Sequence, residues 1–388
     1  MRQKHIYMDN SSTSFPKAPG LGKVMGEHID QFGLNIGRGG YASSFQLEQI
    51  AVETKEKLCG FFGGPNSRNV IFTSGATAGL NMVINGLLSP GDRVVTSCLE
   101  HNAVARPLHA LSSDDSQHIH WNTLPSESDG TLKAGVFHDL LTPDTKMLLV
   151  THASNVSGTL IPLQILGEIC KERHIFFVVD AAQTAGSRPI DMKKLNLDGL
   201  VVAGHKGLLG PQGIGAMILS DRLASQMRPT VLGGTGSKSD LLDMPDFLPD
   251  RFEPGTLNIP GIIGLSHALD FIASQGLSAI RSHKDSLAHT FLEGLSVIPG
   301  VQSVGQPAEI PRESVFSLIF KNVDQGEAAY RLERDFGILT RSGLHCAPLA
   351  HQTLGTFPGG SVRFSFGCFT TAADVDDALS AISKIAKA

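Results

Sequence analysis

From about residue 43 onward, short β-branched apolar runs alternate with longer stretches of helical periodicity. Ser43 followed by Gln46 makes a capping-box pattern, which predicts a helix from there through Phe62. Residues 70–72 then read as a strand, 77–88 as a helix and 94–95 as a strand. Residues 147–150 form an apolar strand, and Pro162 opens the next helix. Further strands are predicted at 175–179, 200–203 and 216–219. Strands that are apolar on both sides, with helices between them, imply an α/β fold: a mostly parallel sheet covered by helices on both faces. The order changes after about residue 255. Two long helices, 262–274 and 277–295, precede separated strands at 315–320, 338–340 and 362–366 and a closing helix from Ala372. This second pattern predicts a smaller C-terminal α/β domain. Pro245, Pro249, Pro254 and Pro260 punctuate the junction. We expect a large domain over 14–255 and a small one over 256–388, joined by 1–13.

Composition narrows the function classes. The chain has 388 residues, 41% hydrophobic and 18% charged, which fits a globular protein and excludes a disordered one. Its net charge of -5, from 32 basic and 37 acidic residues, gives no electrostatic case for nucleic acid. No apolar run reaches membrane-spanning length, and residues 1–6 have a basic start without an apolar export segment. Five cysteines without a CxxC pair fit free thiols in a reducing, cytoplasmic setting, with no metal site. The 42 glycines, mostly in loops, mark places where backbone approaches a ligand.

In open α/β sheets ligands collect beyond the carboxyl ends of strands, and three polar groups sit at such ends. Residues 73–79 (Thr-Ser-Gly-Ala-Thr-Ala-Gly) join a strand to a helix and suit an anion at the helix N-terminus. A plain strand–helix turn would read the same way. Asp180 ends a wholly apolar strand, where a carboxylate needs a cation or a donor. Capping the next helix is the simpler role for that residue alone. Lys206, 26 residues later in Gly204-His205-Lys206-Gly207, sits at another strand end. Desolvation there lowers the amine's pKa and suits it to Schiff-base chemistry, although an isolated loop lysine would look alike.

Glu100-His101-Asn102, Ser154-Asn155-Val156-Ser157-Gly158, Asp180-Ala181-Ala182-Gln183 and Gly204-His205-Lys206 together resemble, in order and spacing, the class V (fold type I) pyridoxal-phosphate aminotransferase superfamily. Residues 8–12 and 251–256 extend that similarity, which covers nearly the whole chain. Within the superfamily, residues 341–348 (Arg-Ser-Gly-Leu-His-Cys-Ala-Pro) resemble the group II cysteine desulfurases, or selenocysteine lyases, although Leu344 stands where those enzymes often have His.

The resemblance implies a fold type I large domain and pyridoxal 5'-phosphate as cofactor, with Lys206 as its covalent anchor. Asp180 would pair with the pyridinium nitrogen, Gln183 would bond the ring hydroxyl, and Asn155 would lie nearby. His101 would stack on the ring and move protons. Ala76, Thr77 and His205 would hold the phosphate. Gly255 and Thr256 would reach the phosphate of the neighbouring subunit in a homodimer. Ala203 replaces a phosphate-binding hydroxyl found in many relatives. Arg363, with Asn155, would grip the substrate carboxylate, and Arg38 would sit at the pocket mouth. Cys346 would take sulfur from L-cysteine as a persulfide, leave L-alanine, and pass the sulfur to an acceptor protein. The alternatives are a selenocysteine or cystine lyase of the same family, in which Cys346 is dispensable, and a class V aminotransferase. Cys59, Cys170 and Cys368 read as packing residues, and so does Cys98.

Overall fold

A computed structural model describes residues 5–31, 36 and 42–387 of the protein. Strand β1 (Ile6–Tyr7) opens it, and a seven-stranded sheet follows: β2 (Val70–Thr73), β3 (Arg93–Ser97), β4 (His120–Leu124), β5 (Thr145–Thr151), β6 (Phe176–Asp180), β7 (Gly199–Ala203) and β8 (Gly215–Leu219). Their spatial order is β2-β8-β7-β6-β5-β3-β4. The pairs from β7 through β4 are parallel, whereas β8 runs antiparallel to both of its neighbours. This is the expected α/β architecture with a mixed, mostly parallel sheet.

Why the central strands are apolar throughout is visible in their two faces. Leu148, Val150, Phe177, Val179, Leu200 and Val202 point into one core, which helices Ala42–Phe62, Leu163–Glu172 and Ile259–Gln275 cover with Leu58, Leu166 and Leu265. Their sequence neighbours Met147, Leu149, Phe176, Val178 and Val201 point into the other, under helices Ala76–Leu87 and Asn102–Ser112. Side chains alternate across a strand, so a strand covered on both faces must be apolar at every position.

A second sheet is antiparallel, with β9 (Val301–Ser303), β10 (Val315–Phe320), β12 (Arg341–Gly343) and β13 (Ser361–Ser365) in the order β12-β13-β10-β9. β11 (Ile338–Leu339) pairs in parallel with β1. Helices Leu277–Ser296, Gln325–Phe336 and Ala372–Ala386 accompany this sheet and bury a separate core around Phe291, Phe316 and Phe364. Among the described residues no helix is long and apolar enough to cross a membrane.

Several elements depart from the pattern read along the chain. The first long helix is described over Ala42–Phe62, so Ser43 lies within its bounds rather than ahead of them. Helix Asn102–Ser112 contains Pro107, which reads as a breaker in sequence. The edge strand β4 is mostly exposed and polar, so it lacks a strand's apolar signature. The strand expected at 338–340 ends at Leu339, where β11 pairs with β1. After Thr340 a separate strand, β12, pairs with β13, which sets Arg341 opposite Arg363.

The two cores meet at a buried charge cluster. Glu313, 1% exposed, accepts from Lys284 Nζ, Arg188 Nε (3.1 Å) and Ser187 Oγ (3.0 Å), and Arg188 also reaches Asp285. Burial alone would raise the Glu313 carboxyl, but the charges of Lys284 and Arg188 outweigh it and hold the group below its ordinary range. Glu313→Gln leaves both cations short of their counter-charge and should destabilise the protein by about 3–5 kcal/mol in denaturant unfolding at neutral pH. Because the folded-state pKa is depressed, the cluster's stabilisation is present above the ordinary glutamate range and disappears as pH falls through the folded value. The difference between wild type and variant should therefore shrink in acid.

Candidate active site

Asp180 is the last residue of β6, and Lys206 follows β7 by three residues; β6 and β7 are adjacent and parallel. Both side chains therefore arrive at the carboxyl edge of the sheet. The path to Lys206 depends on two glycines: a Cβ on Gly207 would lie 2.4 Å from the Ala185 carbonyl oxygen, and one on Gly186 2.1 Å from that of Gly207. Only bare backbone permits the two segments to cross this closely.

Between these strand ends lies a cavity of about 340 Å³ whose lining includes Ala76, Thr77, His101, Asn155, Asp180 and Lys206. Gln183, Ala203 and His205 line it as well. Ala76 and Thr77 are the first two residues of helix Ala76–Leu87, whose N-terminal amides face the cavity end. His101 caps the next helix, its Nδ1 accepting from the Ala103 amide at 3.0 Å. One part of the lining is thus a helix start with its backbone amides, and the other carries a carboxylate and an amine.

Burial dominates the electrostatics of these groups. Desolvation raises the Asp180 carboxyl, which accepts one backbone donor, the Ala182 amide at 2.8 Å. Desolvation lowers Lys206 to about 8; Asp180 resists this, and the charges of Arg363 and Arg341 add to it. His101 and His205 are each lowered to about 4, chiefly by burial and then by the Lys206 charge, so both imidazoles are neutral near pH 7. Glu100, beneath the same edge, is raised to about 8 by burial and is protonated at neutral pH.

The small antiparallel sheet brings up the other half of the site. Arg341 and Arg363 are direct partners on β12 and β13. Arg363 is 1% exposed; its Nη2 donates to Asp9 Oδ1 and Ser12 Oγ, both at 2.7 Å, and its Nη1 to the Asn155 carbonyl at 3.2 Å. Arg341 donates from Nη1 to Ser12 Oγ at 3.2 Å and reaches Cys346 Sγ from Nη2 at 3.6 Å. Cys346 is exposed, in contrast to buried Cys170 and to half-buried Cys59, Cys98 and Cys368. His345 and Cys346 both have positive φ, 49° and 58°, an uncommon conformation for consecutive non-glycine residues. Two bonds pin this turn: Asn155 Nδ2 donates to the His345 carbonyl at 2.7 Å, and the Asn102 amide to the Cys346 carbonyl at 2.8 Å. The buried His345 is lowered to about 2, first by desolvation and then by Arg363, so it carries no charge beside the thiol.

Not every expected site residue meets the others. Gly255 and Thr256 are exposed and lie outside the cavity; Gly255 lines a separate groove with Val52, Lys55 and Glu253. Arg38 falls outside the described residues. Conversely, Asp9, Ser12 and Arg341 touch the site without having been singled out. The signal that would have found Arg341 was its place two residues before Gly343 in the motif leading to Cys346; Asp9 and Ser12 lie within the matched residues 8–12, but nothing local in that segment points to the arginines they contact.

The protein resembles known proteins along almost all its length. A probable cysteine desulfurase of Methanothermobacter thermautotrophicus is 30% identical over 377 residues, 96% of this chain and 92% of that protein. The apo structure of a cysteine desulfurase from Thermococcus onnurineus superposes with a TM-score of 0.92 at 29% identity, covering 99% and 95% of the two chains. The Escherichia coli cysteine desulfurase CsdA, in an S-sulfonic acid form, gives 0.88 at 26% identity over 99% and 95%. The profile for aminotransferase class-V matches residues 6–378, and members of that family depend on pyridoxal 5'-phosphate. The chain belongs to the class-V aminotransferase family.

Proposed function

We propose that the protein is a cysteine desulfurase that binds pyridoxal 5'-phosphate and converts L-cysteine to L-alanine, carrying the sulfur away on Cys346. The observation that carries this reading is an exposed thiol on a pinned turn, 3.6 Å from Arg341, beside a cavity lined by half-buried Lys206 and buried Asp180. An aminotransferase needs no thiol there.

The cavity residues fit the cofactor. A buried carboxylate with one backbone donor calls for a cationic partner, which a protonated pyridine nitrogen supplies. The helix start at Ala76–Thr77, with neutral His205, suits a phosphate. Gln183 and Asn155 face the same space, and the neutral His101 offers a flat ring. When bound, the cofactor supplies an electron-withdrawing ring that stabilises a carbanion at the substrate Cα.

The chain's own residues do the rest. Lys206, with its lowered pKa, takes and returns protons near neutral pH. Arg363 holds the substrate carboxylate and with Asn155 fixes the substrate's orientation. The Cys346 thiolate attacks the substrate Sγ: a sulfur–sulfur bond forms, the Cβ–Sγ bond breaks with its electron pair left on Cβ, and a proton taken there completes the methyl of alanine. Arg341 Nη2 lies 3.6 Å from Cys346 Sγ, and the exposure of Cys346 leaves the persulfide open to an acceptor protein.

A homodimer is part of the same reading. Phe45, Val52, Leu232 and Leu242 are exposed apolar residues, Val52 lines the groove that holds Gly255, and the exposed Gly255–Thr256 segment would serve a partner's phosphate.

Three outcomes test this function. Capture of pyridoxal 5'-phosphate on Lys206 by borohydride reduction, read by peptide mass, should rise with pH because the deprotonated amine is the nucleophile. Its midpoint should lie near 8; a midpoint near the ordinary 10.5 would show that the amine is not desolvated. Cys346→Ser should abolish alanine formation from L-cysteine, since serine cannot form the persulfide, while sparing activity on L-selenocysteine, whose selenium leaves without thiolate attack. Full activity on cysteine in that variant would turn the assignment to the lyase alternative. Arg363→Lys retains the charge opposite Asp9 but loses the fork, so KM for L-cysteine should rise about tenfold or more, with kcat falling less.

A further inference from the structure

The register of the small sheet sets two guanidinium groups directly across from each other, an arrangement that is destabilising unless anions lie between them. One carboxylate, Asp9, is present against two positive charges. The second partner supplied by the chain is neutral: Ser12 Oγ lies 2.7 Å from Arg363 Nη2 and 3.2 Å from Arg341 Nη1. Its hydroxyl proton goes to Asp9 Oδ1 at 2.8 Å, so its lone pairs face the arginines.

Counting donors shows what this does to the fork. Both Nη2 protons of Arg363 are engaged, by Asp9 and by Ser12, and Nη1 gives one to the Asn155 carbonyl. Nε is buried and has no hydrogen-bond partner among the described residues. A carboxylate gripped by two adjacent N–H groups needs Nη2 together with either Nη1 or Nε, so in both modes it needs an Nη2 proton that is already committed. Asp9 is charged and neutralises a buried cation, so displacing it leaves an unpaired charge. Ser12 is neutral and half-buried, so displacing its hydroxyl leaves no unpaired charge.

We propose that Ser12 is a specificity-determining residue: its hydroxyl occupies the carboxylate position between Arg363 and Arg341, and the substrate carboxylate must displace it to bind. This rests on the reading of Arg363 as the carboxylate clamp. The uncompensated positive charge of the two arginines matches one incoming carboxylate, and Ser12 sets how tightly it is held by competing for the same proton.

The test uses the cofactor-loaded protein and two ligands of one shape, L-alanine and L-alaninamide, with dissociation constants measured by calorimetry and KM for L-cysteine alongside. Ser12→Ala should bind L-alanine about three- to tenfold more tightly, lower KM for cysteine by a similar factor with kcat moving less, and leave L-alaninamide where it was. Ser12→Asp places a permanent carboxylate between the arginines and should weaken L-alanine by about tenfold or more while affecting L-alaninamide less. If wild type holds L-alaninamide as tightly as L-alanine, the Arg363 clamp is wrong and the Ser12 inference falls with it. If wild type prefers L-alanine and Ser12→Ala keeps or reduces that preference, the clamp stands and the Ser12 inference alone is overturned.

Discussion

Holding an amine and a carboxylate out of water at neighbouring strand ends is the constraint on which the rest of this structure depends. Among the described residues neither Asp180 nor Lys206 forms a closed ion pair, and burial moves the two in opposite senses, the acid up and the base down to about 8. Groups left in that state are costly. They are sustained by a sheet whose central strands are covered on both faces and by the glycine crossing at Gly186 and Gly207, which leaves the chain no other path. The cost becomes useful when a cationic ring nitrogen and a reactive carbonyl are the groups to be bound, because the site then gains what water would otherwise have supplied.

A second consequence concerns the distance between the two halves of the chemistry. The cavity belongs to the large sheet, whereas Cys346, Arg341 and Arg363 come from the small one. Asn155 joins them: its side-chain amide holds the His345 carbonyl and its backbone carbonyl accepts from Arg363. The left-handed pair His345–Cys346 is an energetically unfavourable turn held by bonds to both Asn155 and Asn102. A movement of the loop that carries Asn155 would therefore be felt at the Cys346 thiol and at the Arg363 guanidinium together.

How much of this could be read from sequence divides along physical lines. The central strands were legible because burial on both faces forces unbroken apolar runs, and Asp180 and Lys206 stood out because each interrupts or follows such a run. Helix Asn102–Ser112 was hidden by Pro107 and strand β4 by its exposure, since neither obeys the rule used to find them. Strand β12 was also invisible: Arg341-Ser342-Gly343 carries no apolar run, so nothing local marks the change of partner after Leu339. Yet that change is what brings Arg341 to Arg363. Motif spacing located Cys346 in the chain, whereas the bonds that hold its backbone come from residues about 190 and 240 positions away, beyond any local pattern.

The N-terminal segment shows why such long-range contacts concentrate in one place. Met8 is bonded on both sides, its amide to the Leu339 carbonyl and its carbonyl to the Ser365 amide, so the segment begins between β11 and β13. A few residues later the Ser14 amide, the Thr13 hydroxyl and Lys17 Nζ all donate to the carbonyl of His205, the residue before Lys206. Between these anchors lie Asp9 and Ser12 on the arginines and the Ser11 carbonyl on Gln183. Burial lowers Lys17 to about 8, so even this anchor holds its charge against a desolvation cost. Residues 8–17 thus tie Arg363 and Arg341 to the backbone beside Lys206. The surroundings of the two arginines are built jointly by the large sheet, the small sheet and this segment, and their geometry exists only when all three are in place.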